Sequence, residues 1–330
     1  MSFASRRLFD HAELLTAMVL WGSLYPASKP VLVHLSPVLV ALARDSIAFL
    51  ALGVLILLRG KGGQAVVEFR HRPWPSASLG LLSFLFSSLL AMLSVRYLPA
   101  SVVGMITATS PLWLALATVA LRRPAGSGRT LLGAAIALAG VGMVLFKDGV
   151  TAALAGDGLD PRGIFFALLC AVVIAMQAAW GRRVMLGRDP IVITWLGCAW
   201  SLPPLLGLAA AEGGIDSFFT LPGPILGIVL YLGVGCTALN FALFNDALKR
   251  VSADRAAAFQ YLIPLISALL AYAFLGESLT WPLMFGGLAI VFGLVLTQQR
   301  VKPAGDTVVQ THLRMHHKGR GWEREASRLE

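Results

Sequence analysis

Lys29 and Arg44 are two basic residues that fall well inside long apolar runs of this 330-residue chain. An ionised side chain at the centre of a bilayer-spanning helix costs about 2.5–3.5 kcal/mol on insertion scales, so it marks a pathway or a pair. Arg44 lies deep in its run beside Asp45. Neighbouring residues point about 100° apart on a helix, so the two need not face each other. A tether to a backbone carbonyl and contact with a solute are equally good readings of Arg44. Lys29 sits near the end of its run, where a long side chain can snorkel to the interface. Ser87, Thr107, Gln177, Asn240 and Gln260 supply uncharged hydrogen-bonding groups in other runs. Tyr25 and Phe259 add aromatic surface, and Pro26, Pro111 and Pro264 supply points at which helices can bend. The chemistry open to such a set is non-covalent recognition of a small solute in a cavity lined by a few polar and aromatic groups.

Covalent chemistry finds little support. The chain contains no HExxH, GxSxG, GxxxxGK[ST] or GxGxxG. Its three cysteines, Cys170, Cys198 and Cys236, lie in separate apolar runs without CxxC spacing. They read as small core residues, and no catalytic residue, metal site or cofactor is expected. His312, His316 and His317 read as part of a solvated tail rather than a metal site. No acidic residue stands mid-run, so coupling to protons is not indicated, with Asp45 the nearest candidate.

The elements that must position these residues are set by composition. With 57% hydrophobic and 13% charged residues and a mean hydropathy of +0.76, the chain has too little polar surface to cover a soluble globule. Ten apolar runs can be marked, at 14–33, 37–58, 77–97, 101–121, 131–146, 163–180, 191–211, 225–243, 256–275 and 279–297. Most approach the roughly 20 residues that cross a hydrocarbon core, the fifth and sixth being short. Lipid offers the backbone no partners, so an all-α membrane protein is expected.

A constant offset of 153 residues pairs Ala100 with Ala253, Pro111 with Pro264, Gly133 with Gly286 and Gly140 with Gly293. It also pairs Ser87 with Asn240 and Thr107 with Gln260, which suggests a shared cavity face. Five runs per copy would place the second copy upside down in the bilayer, giving ten transmembrane helices as two inverted five-helix repeats. Internal repeats of this kind build secondary transporters. The expected units are 1–147 and 148–299, with 300–330 a cytoplasmic, disordered tail.

Charge fixes the expected orientation. With both termini inside, 22 of the 27 basic residues fall on the cytoplasmic side and only Arg96, Lys147 and Arg162 outside; without the tail the bias is 15 to 3. The net charge of +10 is thus spread over separate segments, which argues against a nucleic-acid partner.

Trp21-Gly22-Ser23 followed by Lys29, Arg44 in the second run, Arg96-Tyr97-Leu98-Pro99-Ala100-Ser101 at a junction, and Pro264 through Gly276-Glu277 with Gly286 and Gly293 resemble the drug/metabolite transporter superfamily, EamA type. The resemblance covers about 14–297. The first copy departs from the pattern by carrying Arg122 and Arg123, with no glutamate, after its fourth run. The resemblance implies a multi-pass cell-membrane transporter, with the lipid bilayer and a small-molecule substrate as partners, as monomer or homodimer. It implies export of amino acids or related compounds by alternating access. A carrier of multidrug, amphiphilic or lipid-like solutes is the alternative, with an intramembrane enzyme or channel more remote.

Overall fold

The computed structural model describes residues 3–122, 127–146, 158–248 and 259–298. The tail 300–330 and most of the loop from Lys147 to Arg162 lie outside the described residues. All regular structure among the described residues is helical.

The described residues form eleven helices and a 3-10 segment, Ile215–Thr220. α1 is Phe3–Val31, α2 Pro37–Leu58, and α3 a short segment, Gly62–His71. α4 runs as Pro73–Gly80, a widened π-type stretch Leu81–Phe86, and Ser87–Tyr97. α5 runs as Ala100–Thr107 and Ser110–Arg122. α6 is Ser127–Leu145, α7 Pro161–Val184 and α8 Pro190–Glu212. α9 runs as Gly223–Leu230, a π-type stretch Tyr231–Leu239, and Asn240–Leu248. α10 is Leu262–Leu275 and α11 Trp281–Gln298. Seven of these, α2 and α4 through α9, are long and apolar enough to cross a bilayer, and α10 and α11 are shorter apolar helices. The fifth and sixth runs, short in the sequence, gain length because polar residues at their ends join the helices.

Local chemistry sets the boundaries. Ser36 caps α2 by accepting from Leu39 N, Asp189 caps α8 by accepting from Ile191 N and Val192 N, and each is followed by proline at the first helical position. Proline's missing N–H is harmless there and its fixed φ suits a helix start. α2 and α8 lie together, and each cap reaches past the other's far end: Ser36 donates to Glu212 at 2.8 Å, and Asp189 pairs with Lys61. Gly60 and Gly213, just beyond the two helices, both adopt positive φ, a conformation that glycine alone reaches without strain.

The packing recurs under the 153-residue offset. α6 crosses α11 so tightly that a Cβ on Gly133 would fall 2.6 Å from Gly293 O and one on Gly140 2.6 Å from Gly286 O. Small residues are what let two helix backbones approach this closely in lipid. A Cβ on Gly80 would meet Gly197 O at 2.6 Å, and one on Gly233, its offset partner, would meet Arg44 O at 3.0 Å. α1 packs on α9 and α10, as α7 does on α4 and α5. Leu52, Met92, Ile106, Leu112 and Leu232 fill the interior, while Leu50, Val54, Phe165, Phe285 and Phe292 face outward where lipid would lie.

Candidate functional site

Three helices, α4, α5 and α9, lose their regular hydrogen bonding in mid-course, α10 starts just after a turn, and the break points are offset partners. The π-type stretches 81–86 and 234–239 coincide, since that of α9 covers 231–239. They end immediately before Ser87 and Asn240. α5 is interrupted at Ala108 and Thr109, and the helical turn at Phe259 and Gln260 is separated from α10 at Tyr261, the offset partner of Ala108. The cause lies three residues on. Pro111 and Pro264 have no N–H to give to the residue four before, and those residues are Thr107 and Gln260. The interruption at Tyr261 falls between Gln260 and Pro264, which an unbroken helix would place on one face. Four of the candidates therefore sit where the backbone is irregular. Irregular backbone is tolerated at membrane depth only where protein or a cavity satisfies it.

Tyr25 is buried against the first of these breaks. Its hydroxyl engages the Thr107 side chain, and its ring lies where a Cβ on Gly104 would touch it at 3.6 Å. Thr107 itself donates back to Val103 O at 2.7 Å. Tyr25, Arg44 and Thr107, on α1, α2 and α5, are all buried. Pro26 lies buried next to Tyr25, and a second proline, Pro30, follows in α1.

Arg44 does pair with its neighbour. Its Nε and one terminal nitrogen donate to Asp45 Oδ1 at 3.1 and 3.0 Å, with Asp45 fully buried. Asp45 Oδ2 is buried without a hydrogen-bond partner among the described residues. A neutral pair in the interior avoids most of the cost of a lone charge.

The other candidates are more scattered. Asn240 is fully buried and faces α1: oriented by its neighbours, its amide donates to Ala17 O at 3.0 Å and accepts from Trp21 Nε1 at 2.6 Å. Ser87 is half-buried, and its carbonyl accepts from Cys170 Sγ at 3.4 Å. Gln177 and Gln260 are half-buried. Phe259 stacks on His11 with ring centroids 5.8 Å apart. His11 precedes Tyr25 by fourteen residues of α1, about 21 Å at 1.5 Å per residue, so Phe259 and Tyr25 belong to different levels of the bundle.

A second polar constellation escaped the sequence reading. Lys29 does not snorkel. Its ammonium donates to Val95 O and Leu98 O, both at 2.7 Å, and so closes the end of α4. Two residues later Glu277, beyond α10, accepts from Ala100 N at 2.7 Å, Ser101 N at 3.0 Å and Ser101 Oγ at 2.6 Å, capping α5. A cation thus sits at a helix C-terminus and a carboxylate at a helix N-terminus, each favoured by the helix dipole. Beside them lies a cavity of about 380 Å³ lined by Lys29, Tyr97, Leu98, Pro99, Leu275 and Glu277. Arg162 lies over the Tyr97 ring at 4.5 Å and is held by Asp160 at 2.7 Å. Hydrogen bonds from Arg162 pull the Asp160 carboxyl below its usual range. The sequence signal for this site was the pair of helix ends flanking Leu98-Pro99, which demand a donor on one side and an acceptor on the other.

Known proteins share this architecture. The model of the EamA-like transporter family matches residues 12–146 and again 161–298. An uncharacterized transporter of Bacillus subtilis, YvbV, is 26% identical, with 86% of this chain and 90% of that one covered. A probable terminal-alkyne amino-acid exporter of Streptantibioticus cattleyicolor is 22% identical over 87% of this chain and 92% of its own. A probable amino-acid metabolite efflux pump of Salmonella typhimurium is 27% identical over 86% and 92%. One solved structure superposes with a TM-score of 0.62 at 19% identity, covering 88% of this chain and 96% of that one, a likeness of fold. Both halves match the same model, separated only by the loop between α6 and α7, and the chain belongs to the EamA-like transporter family.

Proposed function

We propose that this membrane protein is a secondary transporter that exports small metabolites, amino acids or related compounds, by alternating access between two inverted five-helix repeats, 1–147 and 148–299. The observation that carries the reading is that the interrupted helices come in offset pairs, at Ser87 and Asn240 and at Thr107 and Gln260. Broken helices at the repeat interface are where transporters of this architecture hold solute. The mutual glycine crossing of α6 and α11 supports a two-fold axis lying in the membrane plane, since it is antiparallel and the offset exchanges its two contacts, Gly133 with Gly293 and Gly140 with Gly286.

In this reading ten helices cross the bilayer, α1, α10 and α11 joining the seven long spans, and both termini face the cytoplasm of a cell-membrane protein. The end closed by Lys29 and Glu277 is then the outer one, and the structure corresponds to a state shut on that side. Tyr25, Arg44 and Thr107 form the middle of the path, with Ser87, Gln177, Asn240, Phe259 and Gln260 contributing along it. Pro26, Pro111 and Pro264 mark the places that flex. Arg44 has a terminal nitrogen that Asp45 does not engage, which suits a carboxylate. The amino-acid solutes named for the exporters from Streptantibioticus and Salmonella agree with that preference.

Liposomes holding the purified chain test the proposal. Counterflow of labelled neutral amino acids is expected to saturate, and Gln260→Ala and Asn240→Ala to slow it more than they lower the unfolding midpoint. Absence of flux for every amino acid, with folded protein in the membrane, overturns the substrate class. Normal flux in both variants removes those residues from the path.

A further inference from the structure

The cavity beside the α4–α5 junction carries opposite charges that are only partly used. Lys29 has three N–H donors, and the Val95 and Leu98 carbonyls take two of them. Glu277 offers about four lone-pair sites, and Ala100 N, Ser101 N and Ser101 Oγ occupy three. One donor and one acceptor are therefore left on groups that line the same space of about 380 Å³. That volume is at the small end of the roughly 300–1,000 Å³ of ligand sites, which favours a compact solute over a drug-sized one. The remaining walls, Leu98, Pro99, Leu275 and the Tyr97 ring, are apolar.

We propose that this cavity is an exit site for zwitterionic amino acids, in which Lys29 receives the solute carboxylate, Glu277 receives its ammonium group, and Leu275 with Tyr97 holds its side chain. The inference rests on the transport reading above and names a second station on the same path. The solute takes the spare donor and acceptor and leaves the clamp on the α4–α5 junction in place, so a bound zwitterion favours the state in which this end is closed. Both halves of the molecule contribute, Lys29 from α1 and Glu277 from beyond α10, so separation of the halves at this end takes the site apart.

Binding to the full-length chain in lipid nanodiscs tests the site, with L-leucine and its two charge-deleted analogues, isoamylamine and 4-methylpentanoate, as probes, and with liposome counterflow of leucine run in parallel. Leucine is expected to bind and each analogue to bind about tenfold more weakly. Leu275→Trp fills the cavity while leaving both clamping charges in place, and is expected to weaken leucine binding about tenfold with an unchanged unfolding midpoint. Glu277→Gln keeps an acceptor for the α5 N-terminus, and is expected to abolish the preference for leucine over 4-methylpentanoate, an outcome that loss of a cap alone does not produce. Equal binding of leucine and both analogues, or wild-type discrimination in both variants, overturns the exit site. If counterflow persists in that case, the transport reading stands without it; if leucine neither binds nor exchanges, both fall for this solute.

Discussion

Arg44 and Gly197 occupy offset-related positions at crossings that are nearly the same: Gly80 of α4 rests on the carbonyl of Gly197, and Gly233 of α9 on the carbonyl of Arg44. Their next neighbours differ equally, Asp45 in one copy and Cys198 in the other, both fully buried. The backbone contact is kept twice, whereas the side chains have diverged into an ion pair on one side and a glycine and a thiol on the other. Duplication constrains the positions where main chain meets main chain, since nothing larger than hydrogen fits there. Chemistry is free to specialise one residue away. The same contrast appears at the junctions: Glu277 caps α5, while its offset partner in the first copy is Pro124, which has no carboxylate to offer.

Four tests sharpen that contrast. The largest effect is expected at Asp45. Replacing it with leucine leaves Arg44 buried and unpaired, a loss of about 3–5 kcal/mol, whereas Cys198→Ala at the partner position costs about 1 kcal/mol. Thermal unfolding of the two variants in one detergent measures the difference, and equal losses would erase the distinction drawn between the copies. Next, Gly140→Val and Gly293→Val are expected to cost similar amounts, about 1–3 kcal/mol each, because each drives a side chain into the facing backbone. A large inequality in their unfolding midpoints would break the symmetry of the α6–α11 crossing. Third, Glu277→Ala removes the cap of α5, with an expected cost of about 0.5–2 kcal/mol in the same assay.

The smallest effect concerns pH at the two caps, Ser36 and Asp189. Burial by itself would raise the Asp189 carboxyl, but Lys61 and the Val192 and Ile191 N–H groups outweigh it and hold the group below its usual range. A carboxyl lowered in the folded state stabilises above its unfolded value near 3.9 and loses that contribution as pH falls through the folded value. Stability is therefore expected to drop slightly more below about pH 4 in the native chain than in Asp189→Ser, which copies the first half's cap. Unfolding midpoints followed from pH 6 to pH 3 compare the two directly.

Much of the fold was legible because lipid imposes a strict rule: long apolar runs must be helices, and those runs bracketed the spans. The 153-residue offset, visible over Ala100 to Gly140, proved to extend to the caps at Ser36 and Asp189 and to the ends of α1 and α7 at Val31 and Val184. The prolines at 111 and 264 mark the interruptions next to Thr107 and Gln260, which the offset had paired as polar residues. What escaped was direction. Sequence spacing placed Arg44 and Asp45 about 100° apart, yet a long guanidinium bends across that gap. Lys29 stands near the end of its run, within a side chain's length of water, but two carbonyls at the end of α4 lie nearer. Phe259 and Tyr25 were grouped because both are aromatic and near prolines, while only the fold reveals that they lie at different depths.

The central claim, that the halves enter the bilayer in opposite senses, is tested most directly by single cysteines at offset-related positions between the long spans. Gly63 and Asp216 are exposed and stand 153 residues apart, and the three native cysteines are buried. A membrane-impermeant thiol reagent applied to intact cells is expected to label Asp216→Cys and to label Gly63→Cys only after the membrane is opened. Labelling of both from the same side would contradict the inverted arrangement and the alternating-access reading built on it.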